Sequence, residues 1–427
     1  MQTDSTPAAE DTNLFLGEAW FDPIEAGIRD QIRGFIEGLV EEELATALGR
    51  GRYQRHPGTT DGADDPATPE GPDAPVPAAG HRHGHRRRQL LGSFGAVELA
   101  VPRARLQAED GGTREWQSAV LPRYRRQTRQ VEALIAGAYL AGTNTRRVKR
   151  ALASLFKGAI SKDTVSRVWR RVKTDWEAWS TRSLADEDVV RLILDGTVVR
   201  ARLDKKATTI SLLVVLGVRR DGQKILLAVK NMGGESEAAW RTVLDDLDRR
   251  GLKTPEWLII DGAAGLEKAL AALWPEVPTQ RCTVHKHRNL LAHAPDRLQE
   301  EVTADYTDMI YAATAEEVGA RRRAFILKWK LKCAAVAESL EEAGDRLFTF
   351  TRLPPGQWKS ARTTNAVERL HEEFKRRIKT QTVLPSPETA AMLFWALLAS
   401  GQITMRKVDG WSTLTEPPAD RVLDLAA

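Results

Sequence analysis

Cysteine is scarce in this chain: two, Cys282 and Cys333, in 427 residues. That excludes a fold held by a disulfide framework. The sequence also lacks an apolar run long enough to span a bilayer and an N-terminal apolar segment of the signal-peptide kind. A soluble protein in a reducing, cytoplasmic setting, with no membrane partner, is therefore expected. No Gly-rich loop ending in Lys-Ser or Lys-Thr occurs, so ATP is not an expected ligand. What remains is ample: 42% hydrophobic residues over this length suit two to four domains with a substantial core.

The formal net charge is only +5, yet residues 123 to 173 hold fourteen Lys and Arg against Glu132 and Asp163, a local excess of +12. Clustering on that scale points to a polyanion such as nucleic acid, although a solvated basic face would have the same composition.

Along the chain, residues 14 to 48 carry apolar positions at helical spacing (Ile28, Ile32, Phe35, Ile36, Leu39), which predicts one or two amphipathic helices in an N-terminal segment, 1–56. Six prolines between 57 and 80, with almost nothing bulky and apolar, predict a disordered linker. The run His81 to Arg88 has imidazoles but no nearby Cys, so a basic arm touching phosphates is expected rather than zinc. Leu90 to Val101 reads as a strand about Gly95, ended by Pro102.

The basic block then reads as helices. Arg146 to Phe156 places Val148, Leu152 and Leu155 on one face; Lys157 to Ile160 turns; Ser161 caps a second helix, Lys162 to Trp179. Two helices joined by a Gly-containing turn fit a helix-turn-helix within a mainly helical DNA-binding region, 81–184. Lys162, Ser166, Arg167, Arg170 and Arg171 would then face a major groove. A helical hairpin that binds nothing fits the same pattern.

The stretch that organises the remainder of the chain is Val189 to Val199, an apolar run that carries Asp195. It predicts a buried strand, and a carboxylate there needs a partner or a cation. Two further β-rich runs come next, separated by Asp221-Gly222, a hairpin signal. Residues 235 to 250 form a helical pattern with Trp240, Val243, Leu244 and Leu247 inward, stopped by Gly251. Trp257 to Ile260 is a short strand ending in Asp261. Three strands, a helix and a fourth strand ending in Asp is the order of the ribonuclease H-like fold, in which the first and fourth strands are neighbours. Asp195 and Asp261 would meet there, an arrangement that favours Mg²⁺ or Mn²⁺ between them; otherwise Asp261 merely caps the helix behind it. A third acid is offered by Glu368 or, one turn on, Glu372, on a helix begun at Thr364 or Asn365 that also carries Lys375 and Arg376 for DNA. Between these acids, residues 296 to 350 have helical spacing. Trp329 within them could stack on a base or fill a core.

These motifs resemble the Mutator-type transposases of bacterial insertion sequences. The resemblance covers most of the chain and is carried by Asp195-Gly196-Thr197, Ile260-Asp261-Gly262, Gln280 to Lys286, and Thr363-Thr364-Asn365 before Glu368. It implies an α/β chain: a ribonuclease H-like catalytic core (185–295 and 351–427) with an all-helical insertion (296–350). It places a metal-binding, catalytic triad on Asp195, Asp261 and Glu368, which selects Glu368 over Glu372. A Cys-x-x-His element falls on Cys282 and His285, implying a supporting role beside the metals. Thr283 stands where the family commonly has an aromatic. The implied activity is two-metal cleavage at terminal inverted repeats of double-stranded DNA, followed by transfer of the 3′-OH to target DNA, by a homo-oligomer, at least a dimer, associated with the nucleoid. A ribonuclease H-like nuclease and a catalytically silent DNA-binding regulator are the alternatives.

Overall fold

The computed structural model describes residues 23–49, 80–108, 111–140, 152, 162–379, 383–416 and 418–419. It is a mixed α/β protein of two compact units, one reaching to Trp169 and the other running from Arg170 onward, apart from a few residues near 140.

The first unit contains α1 (Pro23–Leu48), a sheet of β1 (Gly80–Gly92), β2 (Gly95–Gln107) and β3 (Thr113–Glu115) in that order, and α2 (Arg129–Leu140). The amphipathic stripe of α1 buries Val40, Leu44 and Leu48 against the sheet residues Leu90, Val97, Leu99, Ala104 and Leu106. Acids on α1 tie down neighbouring backbone. Glu37 accepts from Ala100 N at 2.6 Å and Glu43 from Ala119 N at 2.6 Å.

Three expectations from the sequence are corrected by this unit. The His81 to Arg88 run is not an arm but most of β1, paired antiparallel with β2. Most of its charged side chains are exposed, Arg82 being half-buried in an ion pair with Glu41 of α1, while the backbone is satisfied by the ladder. Gly95 lies beside a hairpin turn with φ +97°, so the 90–101 stretch is two strands rather than one. Pro102 does not end β2. It pairs with His85 where the register shifts, and β3 reaches only Arg105 to Gln107, so proline's missing N–H leaves no ladder bond unmade. The described part of the 81–184 region is thus sheet and helix together, not mainly helical. Residues 57–79 and, apart from Leu152, the first predicted helix, 146–156, lie outside the described residues. The second helix is present as α3 (Lys162–Thr181).

The second unit is built on a five-stranded sheet: β4 (Val189–Leu203), β5 (Lys206–Arg219), β6 (Lys224–Met232), β7 (Trp257–Ile260) and β8 (Thr279–Arg281), in the order β6-β5-β4-β7-β8. β4, β5 and β6 are antiparallel neighbours; β7 and β8 are parallel additions. Gly222, with φ +86°, makes the Asp221-Gly222 turn. Side chains alternate across the sheet. Leu192 and Leu194 pack with Trp240, Val243, Leu244 and Leu247 of α4 (Glu237–Arg249) and Leu266 and Leu270 of α5 (Ala264–Leu273). Alternation puts Ile193 and Asp195 on the opposite face.

Helices α6 (Thr283–His293), α7 (Asp296–Ile310), α8 (Ala315–Lys332) and α9 (Ala334–Ala343) come next, so the 296–350 stretch is helical as expected. Trp329 is fully buried there, its Nε1 donating to Asp305 at 2.9 Å, which settles it as core. Two later helices, α10 (Asn365–Ile378) and α11 (Pro387–Ala399), pack on the sheet, α10 against β4 and α11 against β6, β4 and β5.

Candidate active site

The parallel pairing of β4 with β7 aligns Leu194 with Ile260. Asp195 and Asp261 are the next residue of each strand. Adjacent strands lie about 4.8 Å apart, so the register alone brings two carboxylates together. Backbone groups orient both: Gly196 N donates to Asp195 Oδ1 at 2.9 Å and Ala263 N to Asp261 Oδ1 at 2.9 Å. Burial pushes the Asp261 carboxyl up; the Ala263 N–H opposes this and the Asp195 carboxylate adds to it. Ala263 stands at the N-cap position of α5, whose first turn takes no side-chain cap bond, so Asp261 braces the residue before the helix and does not cap its first turn.

From the other face α10 brings Glu368. Thr364 Oγ1 donates to its Oε1 at 3.1 Å, Arg288 to its Oε2 at 3.2 Å, and His285 Nδ1 lies 3.5 Å from Oε1. Glu372, one turn on, is exposed. Thr364 stands at the N-cap position without a side-chain cap bond, its hydroxyl being committed to Glu368.

His285 lies among the acids. The hydrogen bond to Cys282 raises its pKa, burial lowers it, and Cys282, Asp195 and Glu368 raise it further, to about 9. It thus carries positive charge beside Asp195 and Glu368. Cys282 is fully buried at the start of α6. Burial alone would raise its thiol, but hydrogen bonds from His285 and Thr364 outweigh that. Thr283 fits without an aromatic because its N–H and hydroxyl both donate to Arg362 O, at 3.0 and 3.2 Å. Cys282, His285 and Glu368 have ligand atoms within 4.8 Å of one another, the one such group among the described residues. His287, two residues beyond His285, is turned away to Thr303 and stacks on Tyr306.

Two neighbours of the acids carry no motif in the sequence. His371 Nδ1 approaches Asp195 from α10, and Glu235, just before α4, is half-buried. Burial first, then Asp261 and Asp195, push the Glu235 carboxyl up, against His285. His371 is legible only as one turn beyond Val367 on a buried stripe. Glu235 has no local signal.

Of the expected DNA contacts, Lys162 opens α3, Ser166 is half-buried, and Arg167, Arg170 and Arg171 are exposed. Lys375 and Arg376 are exposed on α10, and Arg376 is paired with Glu373 at 2.7 Å. In the first unit, Arg86, Arg87, Arg88, Arg123, Arg126 and Arg167 line a recess of about 500 Å³. Arg88 is structural there. It donates to the carbonyls of Leu121, Pro122 and Arg125 at 2.8 to 3.0 Å.

None of the described helices is long and apolar enough to cross a membrane. Residues 70–405 match the family model of the Mutator family of transposases. The chain is 31% identical over 371 residues to the transposase for insertion sequence element ISRM5 of Rhizobium meliloti (strain 1021), spanning 87% of this chain and 86% of that relative. The transposase for IS905 of Lactococcus lactis is 31% identical over 311 residues, 72% of this chain and 76% of the relative. The transposase for IS256 in Tn4001 of Staphylococcus aureus is 28% identical over 323 residues, 74% and 80% respectively. With a match of that extent over both units, the chain belongs to the Mutator family of transposases.

Proposed function

We propose that this transposase cuts and joins DNA in a ribonuclease H-like second unit through Asp195, Asp261 and Glu368. The first unit and α3, as the second helix of a helix-turn-helix, hold the terminal inverted repeats. The observation that carries the reading is the parallel β4–β7 register, which sets Asp195 beside Asp261 in the strand order of that fold.

The donor set fits a hard divalent cation. The two aspartates sit side by side with Asp261 pushed up by burial and by Asp195, and Glu368 offers a third oxygen donor. Asp195, Asp261 and Glu368 would hold Mg²⁺ or Mn²⁺, which would supply charge neutralisation and activation of water. The protein's own contribution is orientation and charge. Gly196 N–H and His371 fix the Asp195 carboxylate; Arg288, Thr364 and His285 fix that of Glu368. His285 holds a proton beside Glu368, close to where a phosphate would carry negative charge. Water attack on the terminal phosphodiester releases a 3′-OH, and that hydroxyl then attacks a target phosphate, displacing its 3′ oxygen. Lys375 and Arg376 lie on the face of α10 left to solvent, suited to a DNA backbone. Action on two ends calls for a homo-oligomer, at least a dimer, on nucleoid DNA.

The test uses full-length protein and the terminal DNA of its own element. Asp195→Asn, Asp261→Asn and Glu368→Gln should each lower cleavage and joining by orders of magnitude while leaving end binding intact. Undiminished cleavage in all three would dismiss the triad. Loss confined to Glu372→Gln would move the third acid by one turn.

A further inference from the structure

Glu235 stands where nothing in its local sequence requires an acid. Ser236, the next residue, caps α4 through its hydroxyl, which accepts from Ala239 N at 3.2 Å. Glu235 itself takes no part in that cap. Its carboxylate is half-buried, and among the described residues no side chain offers it a hydrogen bond or an ion pair. A carboxylate with no direct partner, placed beside two others and only partly offset by the charge of His285, is unfavourable by desolvation and by repulsion alike. Removing the acid would be the simple remedy for a purely structural position.

Instead, both aspartate motifs make room for it. A Cβ at Gly196, the residue after Asp195, would lie 2.2 Å from Glu235 Oε1, and the three nearest atoms are all of the Glu235 carboxylate. The carboxylate therefore occupies the space a side chain at 196 would fill. A Cβ at Gly265, in the first turn of the helix after Asp261, would lie 2.8 Å from Glu235 O and 2.9 Å from Glu237 N. One glycine admits the acid and the other admits its backbone. Both belong to the segments that carry the paired aspartates.

We propose that Glu235 supplies a fourth carboxylate to the divalent-cation cluster, approaching Asp195 and Asp261 from the sheet face opposite α10. The inference rests on the cation-binding reading of Asp195 and Asp261. It adds that oxygen donors converge from both faces of the sheet, Glu235 from one and Glu368 from the other.

Binding of Mn²⁺ to the full-length, chelator-treated protein, followed by the electron paramagnetic resonance of free Mn²⁺, tests this without any reaction. Glu235→Gln should weaken Mn²⁺ binding roughly tenfold or more, the scale of losing a ligand or its support. Glu237→Gln, an exposed acid of the same segment, should leave it unchanged. A second variant avoids touching the acid. Gly196→Ala pushes the flexible carboxylate aside, so it should weaken Mn²⁺ binding in the wild-type background but add nothing to Glu235→Ala, where the space is free. Wild-type affinity in Glu235→Gln, with loss in Asp261→Asn, overturns the role of Glu235 and leaves the triad standing. Wild-type affinity in both overturns the cation reading itself. Equal effects of Gly196→Ala in both backgrounds would show that the glycine serves packing and would also overturn the proposal.

Discussion

His371 Nδ1 lies 3.4 Å from Asp195 Oδ2, with both side chains only 7% exposed. The other ring nitrogen, Nε2, is buried without a partner among the described residues. Among the described residues, Asp195 thus has this imidazole and its neighbour's N–H in direct contact, with the charge of His285 beside it, to satisfy it in the absence of a cation. His371→Leu, similar in bulk against Phe394, should cost the metal-free protein about 1–3 kcal/mol, the range for leaving a buried polar group without its partner. Denaturant unfolding measures this. A variant as stable as wild type would mean the interaction contributes nothing.

Protonation offers a second check. The Asp261 and Glu235 carboxyls are raised above their ordinary values in the folded state. The folded protein therefore binds these protons more tightly than the unfolded chain. The linked stability is fully present below the unfolded carboxylate values and is lost as pH rises through the folded ones. Metal-free protein taken from neutral pH down towards the ordinary carboxylate range should accordingly gain stability relative to Glu235→Gln, whose neutral amide has nothing to titrate. A thermal-melting difference that does not change with pH would contradict the assignment.

For DNA, the recess of Arg86, Arg87, Arg126 and Arg167 sets the expectation. Replacing Arg167 or Arg126 by Gln should weaken end binding and reduce the slope of log affinity against log salt by about 0.9 for each phosphate no longer neutralised. Arg88 makes a contrasting case, since its guanidinium is spent on three carbonyls. Its replacement should lower the melting temperature. Unchanged salt slopes in the first two variants would remove this face from the interface.

Trp329 separates packing from base stacking. Trp329→Ala should destabilise the second unit by about 3–5 kcal/mol, the usual cost of emptying a buried aromatic site. Trp329→Phe should retain DNA affinity while losing the bond to Asp305. A large affinity loss in the phenylalanine variant would restore the stacking role.

The parts of this architecture that could be read from sequence are those whose pattern is local. Val189 to Val199 announces a strand, Asp221-Gly222 a hairpin, and Trp240, Val243, Leu244 and Leu247 the inner face of α4. What stayed hidden depends on partners. β1 has no alternation of its own from His81 to Arg88 and is a strand only because β2 pairs with it. β8 is three residues long, too short for any periodicity, yet it puts Cys282 at the head of α6. The acids at 195, 261 and 368 were visible as motifs. Glu235 and His371 were not, because one is placed by two distant glycines and the other by the docking of α10 on β4.

The division of the chain also has a consequence in time. The first unit ends in sequence at Trp169, part-way along α3, whereas the strand carrying Asp195 acquires Glu368 only with α10 and its cover on that face only with α11. Synthesis runs from the N-terminus, and units tend to fold as they emerge. On the proposed division of roles, a ribosome-bound chain would be able to grip DNA well before it could cut it, and a chain broken off before α10 would occupy an element's ends while being unable to move it.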